Sequence, residues 1–299
     1  MLRIMSPRFY EEDYQRIAPA SEKYPFLPGT SIEIVRQPAG REPPRHVLLD
    51  FDGTLSLVRE GWMGVMVPLM VEVLAATGTG ESPQELTAVA RDFVTALTGK
   101  QTVYQMIRLA EEVRKRGGTP EEPVAYKRAY HDRLMERIAG RREALRAGRA
   151  SPRNMLVPYS LELLDELRRR QVALYVASGT DEKYVIEEVR LLGLNEYFGK
   201  HVYGALEDYK SFSKAMVIER ILKENRVEGG SLLGFGDGFV EIQNIKAVGG
   251  LAVAVATDEA GRSGRPDPWK RDRLIGAGAD LVIPDFRDFG PLLGYLWNE

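Results

Sequence analysis

The 299-residue sequence predicts an α/β fold: a parallel sheet interrupted by a long all-helical insertion. Three observations carry that prediction. Short apolar runs at 47–49, 172–177 and 251–256 have the length and composition of strands buried on both faces. From residue 161 onward such runs alternate with helix-period segments, which implies right-handed crossovers and helices on both sides of the sheet. Between residues 57 and 157 the apolar spacing stays near 3.6, with almost no strand signal.

Taken in order, residues 1–45 form an extension before the first sheet strand. Pro7, Pro19, Pro25, Pro28, Pro38, Pro43 and Pro44 work against long helices there. Phe9, Tyr10, Tyr14, Tyr24 and Phe26 point to a segment that packs on something. The strand at 47–49 follows, then the turn Asp50-Phe51-Asp52-Gly53-Thr54. Helices are expected at 62–76, 83–97, 103–115 and 124–149, separated by Gly78 and Gly80, by Gly99, and by Gly117, Gly118 and Pro120. After them come a helix at 161–170, the strand at 172–177, a helix at 181–192 and a short strand at 201–203. A helix at 213–225, a strand at 231–235, a helix at 242–248 and strands at 251–256 and 281–283 complete the pattern. The expected division is an extension at 1–45, an α/β core at 46–56 and 158–299, and a helical insertion at 57–157.

Composition narrows the function. The hydrophobic share of 44% suits a large soluble core, and the formal charge of −2 supplies no basic field for nucleic acid or an acidic membrane. The absence of cysteine excludes disulfides, thiol nucleophiles and thiolate metal sites, and fits a cytoplasmic protein. Three scattered histidines argue against a zinc site. No stretch has the length of a membrane span or a signal peptide.

The chemistry-bearing residues cluster at strand ends. Asp50 and Asp52 stand at the carboxyl edge of the first strand, where open α/β sheets keep their sites. Beside a divalent cation, Asp50 can attack phosphorus and form an aspartyl phosphate. Asp52 can protonate the departing alkoxide and then take a proton from water, and a hydrogen bond from Thr54 is expected to fix it. Ser178, followed by Gly179, ends the next strand before a helix start, an arrangement that binds anions. Asp237 follows the strand at 231–235, with Glu241 nearby, and oxygen ligands there suit magnesium. The GFGDG run is not a dinucleotide loop, because Asp237 would face a pyrophosphate and the last glycine is missing.

This succession resembles the four motifs of the haloacid dehalogenase-like superfamily, over about 47–255. The resemblance implies a Rossmann-like core with the Asp50 strand flanked by the Ser178 and Asp237 strands. It implies that the insertion is a helical cap of the C1 type closing over the site. It implies a third-motif lysine, for which Lys214 fits best and Lys210 is the rival. Mg²⁺ would be held by Asp50, Asp52, Asp237 and Glu241, although the family more commonly has an aspartate where Glu241 stands. The implied activity is hydrolysis of a small soluble phosphomonoester, as in members resembling phosphoglycolate phosphatase. A sugar phosphomutase of the β-phosphoglucomutase kind and a non-catalytic metabolite-binding protein are the alternatives. In the cap, Lys100, Gln101 and Thr102 form a polar cluster at a helix start that can meet substrate, and Arg59 and Trp62 are further candidates. The expected partner is a small phosphorylated metabolite, with no nucleic acid and no membrane.

Overall fold

The computed structural model describes residues 13–19, 23–37 and 42–299. Seven strands form one sheet: β1 (Glu33–Ile34), β2 (His46–Leu49), β3 (Ala173–Asp181), β4 (Val202–Ala205), β5 (Leu232–Gly236), β6 (Leu251–Val255) and β7 (Leu281–Ile283). Their order is β1-β7-β6-β5-β2-β3-β4, so β2 lies between β5 and β3. All neighbours are parallel except β1, which pairs antiparallel with β7.

Successive residues of a strand face opposite sides, and two separate cores result. Val47 and Leu49 of β2, with Val176, Phe235 and Val253 of its neighbours, pack on one side. Leu48, Tyr175, Ala252 and Ala254 pack on the other. The first side is covered by α5 (Ser160–Arg169), α6 (Glu182–Leu191), the single turn α7 (Asn195–Phe198) and α11 (Phe289–Trp297). The second is covered by α8 (Lys214–Asn225), α9 (Phe239–Ala247) and α10 (Pro268–Gly276).

After β2 the chain leaves the sheet and forms α1 (Met63–Ala75), α2 (Pro83–Ala96), α3 (Thr102–Lys115) and α4 (Pro123–Arg146). These four helices share an apolar interior that includes Met70, Ala90, Met106 and Ile138. The outgoing and returning linkers run side by side. The Leu57 amide donates to the Met155 carbonyl at 2.8 Å, and the Val157 amide donates to the Leu55 carbonyl at 2.9 Å.

Several elements differ from the sequence expectation. β3 runs on through Ser178, Gly179 and Thr180 to Asp181, with irregular pairing between Ala177 and Asp181. α4 stops at Arg146, where Gly148 takes a positive φ of 64°, and α9 starts three residues earlier than its apolar spacing implies. β1, α7, α10 and α11 had no expectation at all. In the extension, Tyr14 packs edge-on against Phe239 with ring centroids 5.6 Å apart, and Tyr24 is also packed. Phe26 instead stands 53% exposed, while Phe9 and Tyr10 lie outside the described residues. Among the described residues no helix is long and apolar enough to cross a membrane.

Candidate active site

The ends of β2, β3 and β5 meet at one cavity of about 120 Å³, closed from above by the helical insertion. Asp50 is the first residue past β2, and its amide donates to the Phe235 carbonyl of β5 at 2.9 Å. Phe51 is fully buried in the core, while Asp50 and Asp52 on either side of it line the cavity. Gly53 has a positive φ of 77°, and a Cβ there would lie 2.1 Å from Asp237 Oδ2. Only glycine meets both constraints, so the turn and the Asp237 carboxylate fit against each other.

Lys214 begins α8, whose N-cap Ser213 accepts from the Met216 amide. Its Nζ lies 2.6 Å from Asp50 Oδ1 and also contacts the Glu241 carboxylate. Lys210 is exposed on a short turn beside Tyr209, so the structure brings Lys214, not Lys210, to Asp50. Glu241 is buried on α9 and does not line the cavity. Its carboxylate contacts the Lys214 ammonium, and its Oε2 comes within 2.5 Å of where a Cβ on Gly238, the neighbour of Asp237, would lie.

The hydroxyls on Asp52 come from β3. Thr180 Oγ1 donates to Asp52 Oδ2 at 2.8 Å and Ser178 Oγ at 3.3 Å. This corrects the expectation for Thr54. That residue is fully buried and its Oγ1 has no hydrogen-bond partner. Its turn closes on itself, through Leu55 and Ser56 amides donating to the Phe51 carbonyl, while parallel β3 brings Thr180 alongside. The strand does not end at Ser178 as expected but carries on to Asp181, α6 begins at Glu182, one residue past the expected start, and the Ser178 hydroxyl accepts from the Thr180 amide at 3.1 Å. Gly179 lines the cavity beside the cap loop, and a Cβ there would lie 3.0 Å from the Lys100 carbonyl oxygen.

Of the cap residues, Lys100 and Thr102 line the cavity. Gln101 does not: its side-chain amide donates to the Phe212 and Tyr209 carbonyls of the core. Gly99 sits on Gly238, where a Cβ would meet the Gly99 Cα at 2.8 Å. Trp62 also lines the cavity. Arg59 makes a buried two-point ion pair with Glu188 of α6 (3.1 and 2.8 Å) and stands 3.7 Å from Asp52 Oδ1. The sequence reading missed Thr180, Glu188, Lys127, His131, Glu259 and Lys270. Lys270 reaches Asp237 Oδ2 at 2.8 Å and Glu259 Oε1 at 2.7 Å.

Electrostatics follow from this crowding. Burial raises the Asp52 carboxyl to about 6, against the pull of Arg59. Burial also raises Asp50, with Lys214 opposing and Asp237 and Asp52 adding repulsion. Burial lowers His131 to about 4, helped by the Arg59 charge.

Among the described residues no three acidic or histidine side chains converge into a ready-made metal cage. Asp50 and Asp237 are hard oxygen donors on adjacent strand ends, and Asp52 Oδ1 is buried without a hydrogen bond. Two carboxylates, completed by main-chain oxygen and water, fit magnesium, which rarely takes an all-protein cage.

No curated protein matches the chain. The fold is shared with a β-phosphoglucomutase from Clostridium difficile, at 13% identity and a TM-score of 0.55, over 85% of this chain and 97% of that one. A predicted phosphoglycolate phosphatase from Haemophilus somnus matches at 15% identity and a TM-score of 0.51, over 82% and 96%. CbbY from Rhodobacter sphaeroides, solved with phosphate, matches at 21% identity and a TM-score of 0.52, over 83% and 96%. The haloacid dehalogenase-like hydrolase family matches residues 44–249, well over half of the sequence. The chain therefore belongs to the haloacid dehalogenase-like hydrolases.

Proposed function

We propose that the chain is a Mg²⁺-dependent phosphatase that hydrolyses a small phosphomonoester through an aspartyl phosphate on Asp50. The observation that carries this reading is the convergence of Asp50, Asp52, Lys214 and Asp237 on one cavity. Magnesium, held by Asp50 and Asp237, would supply charge neutralisation of the phosphoryl group. Lys214, fixed between Asp50 and Glu241, offsets the repulsion between Asp50 and an anionic substrate.

In the first half-reaction an Asp50 oxygen bonds to phosphorus as the ester P–O bond breaks. Protonated Asp52, oriented by Thr180 and Ser178, gives its proton to the leaving alkoxide. In the second, Asp52 takes a proton from water as that water attacks phosphorus, and the Asp50–phosphorus bond breaks to release phosphate.

Two observations support a small leaving group without a second phosphate. The cavity is small beside the roughly 300–1,000 Å³ of drug-sized sites. The cap-side cations on its wall are already engaged, Lys100 with Asp13 at 2.6 Å and Lys127 with Asp181. These favour a phosphatase over a sugar phosphomutase, whose bisphosphate needs two anion sites. The cysteine-free sequence supports a cytoplasmic setting, and the small cavity supports a small phosphorylated metabolite as partner.

The test is phosphate release from p-nitrophenyl phosphate and from a panel of phosphorylated metabolites, with magnesium. Asp50→Asn is expected to abolish release while circular dichroism is unchanged. An unchanged rate sinks the mechanism, and isomer formation outpacing phosphate release with a sugar bisphosphate selects the mutase. Tight metabolite binding without turnover under any divalent metal selects the non-catalytic protein.

A further inference from the structure

Two residues beyond the matched family segment bring charge to Asp237, one on the cavity wall and one behind it, and the four motifs assign a role to neither. Glu259, in the loop after β6, lines the cavity with Asp50, Asp52 and Asp237. Lys270 is the third residue of α10, and its ammonium bridges Asp237 Oδ2 at 2.8 Å and Glu259 Oε1 at 2.7 Å. The three side chains are only 11%, 13% and 19% exposed for Lys270, Asp237 and Glu259, so water screens these pairs weakly. Each partner is anchored. Asp267 caps α10 by accepting from the Lys270 amide at 2.8 Å, and its own amide donates to the Ala256 carbonyl at 2.8 Å. On the other side the Asp237 carboxylate rests against Gly53.

We propose that the Lys270 ammonium is a built-in competitor for the dication at Asp237, and that Glu259 is the carboxylate that takes it up when the dication binds. The inference rests on the reading of Asp237 as a metal ligand. An ammonium on one Asp237 oxygen leaves the carboxylate half committed, and its charge repels an arriving dication. The flexible lysine stem lets the ammonium shift toward Glu259 without losing its last counter-charge. Without Glu259, the ammonium has Asp237 as its carboxylate partner at this site and holds it more firmly.

The experiment is calorimetric titration of the full chain with Mn²⁺, without substrate, on the wild type and on variants. Lys270→Gln is expected to bind Mn²⁺ about tenfold more tightly, because a neighbouring charge is removed. Lys270→Arg keeps the charge and is expected to bind like the wild type. Glu259→Gln is expected to weaken binding, but to have no effect in a Lys270→Gln background, since it acts only through Lys270. Lys270→Gln binding no more tightly than the wild type overturns the proposal. So does Glu259→Gln weakening binding equally in both backgrounds, which makes Glu259 a ligand itself. Asp237→Asn separates the two levels. If it abolishes Mn²⁺ binding while Lys270→Gln changes nothing, this proposal alone fails; if it binds like the wild type, the reading beneath it fails. Thermal unfolding without metal checks each fold, and Lys270→Met provides the same comparison if Lys270→Gln folds poorly.

Discussion

Two threonines, one in the turn after β2 and the other on neighbouring β3, illustrate the residue scale: Thr54 follows Asp52 in sequence, yet Thr180 holds it in space. Thr180→Val removes the 2.8 Å bond and is expected to lower kcat by about 10- to 100-fold, less than the roughly 10²–10⁴-fold of losing the acid–base group itself, because Asp52 stays and only its orientation loosens. Thr54→Val removes a buried hydroxyl that bonds to nothing, so stability is expected to stay level or rise, as read by urea unfolding. His131, stacked on Tyr184 with ring centroids 3.8 Å apart, makes a pH prediction. Its folded-state value of about 4 lies below the ordinary 6.5, so the fold favours the neutral ring. That stabilisation is complete above about 6.5 and is lost as pH falls toward 4. NMR titration is expected to place the imidazole midpoint near 4, and a midpoint near 6.5 contradicts it.

At the scale of elements, the cap linker and α6 are joined by the buried pair Arg59–Glu188. Arg59→Ala strands Glu188 in the interior and is expected to cost about 3–5 kcal/mol in chemical unfolding. Replacing both partners by Met and Leu is expected to recover most of that loss, because no lone charge is left behind. The strands around the site were legible in the sequence because local signals suffice for them. An apolar run followed by Asp50-Phe51-Asp52-Gly53-Thr54 needs no distant partner to be read. β1 was not legible, since two residues carry no period. α10 and α11 are nine residues each, and α10 opens on Pro268 while α11 carries Gly290, Pro291 and Gly294, residues that read as breaks rather than as helix. Lys270 and Glu259 meet Asp237 only through tertiary packing, 33 residues separating Lys270 from Asp237. No spacing rule reaches them. The choice between Lys214 and Lys210 needed coordinates for the same reason, because both precede the same apolar helix.

For the whole molecule, the seven-stranded sheet is a fixed floor and the four-helix insertion a roof seated on it. Gly99 against Gly238 and Gly179 against Lys100 are two places where their backbones come together with no room for a side chain. Gly238→Ala would drive a methyl group to 2.8 Å from the Gly99 Cα and 2.5 Å from Glu241 Oε2. It is expected to lower kcat/KM by prising the two apart, with far-UV circular dichroism unchanged.

The paired linkers carry a last consequence. The backbone enters and leaves the roof along two neighbouring linkers, hydrogen-bonded to each other at Leu57 and Met155 and at Leu55 and Val157. A swing of the roof large enough to admit a molecule has to pivot on that seam, as a door does on a single hinge post. The amide protons of Leu57 and Val157 are therefore natural clocks for the swing, and hydrogen exchange there should slow whenever a ligand keeps the door shut.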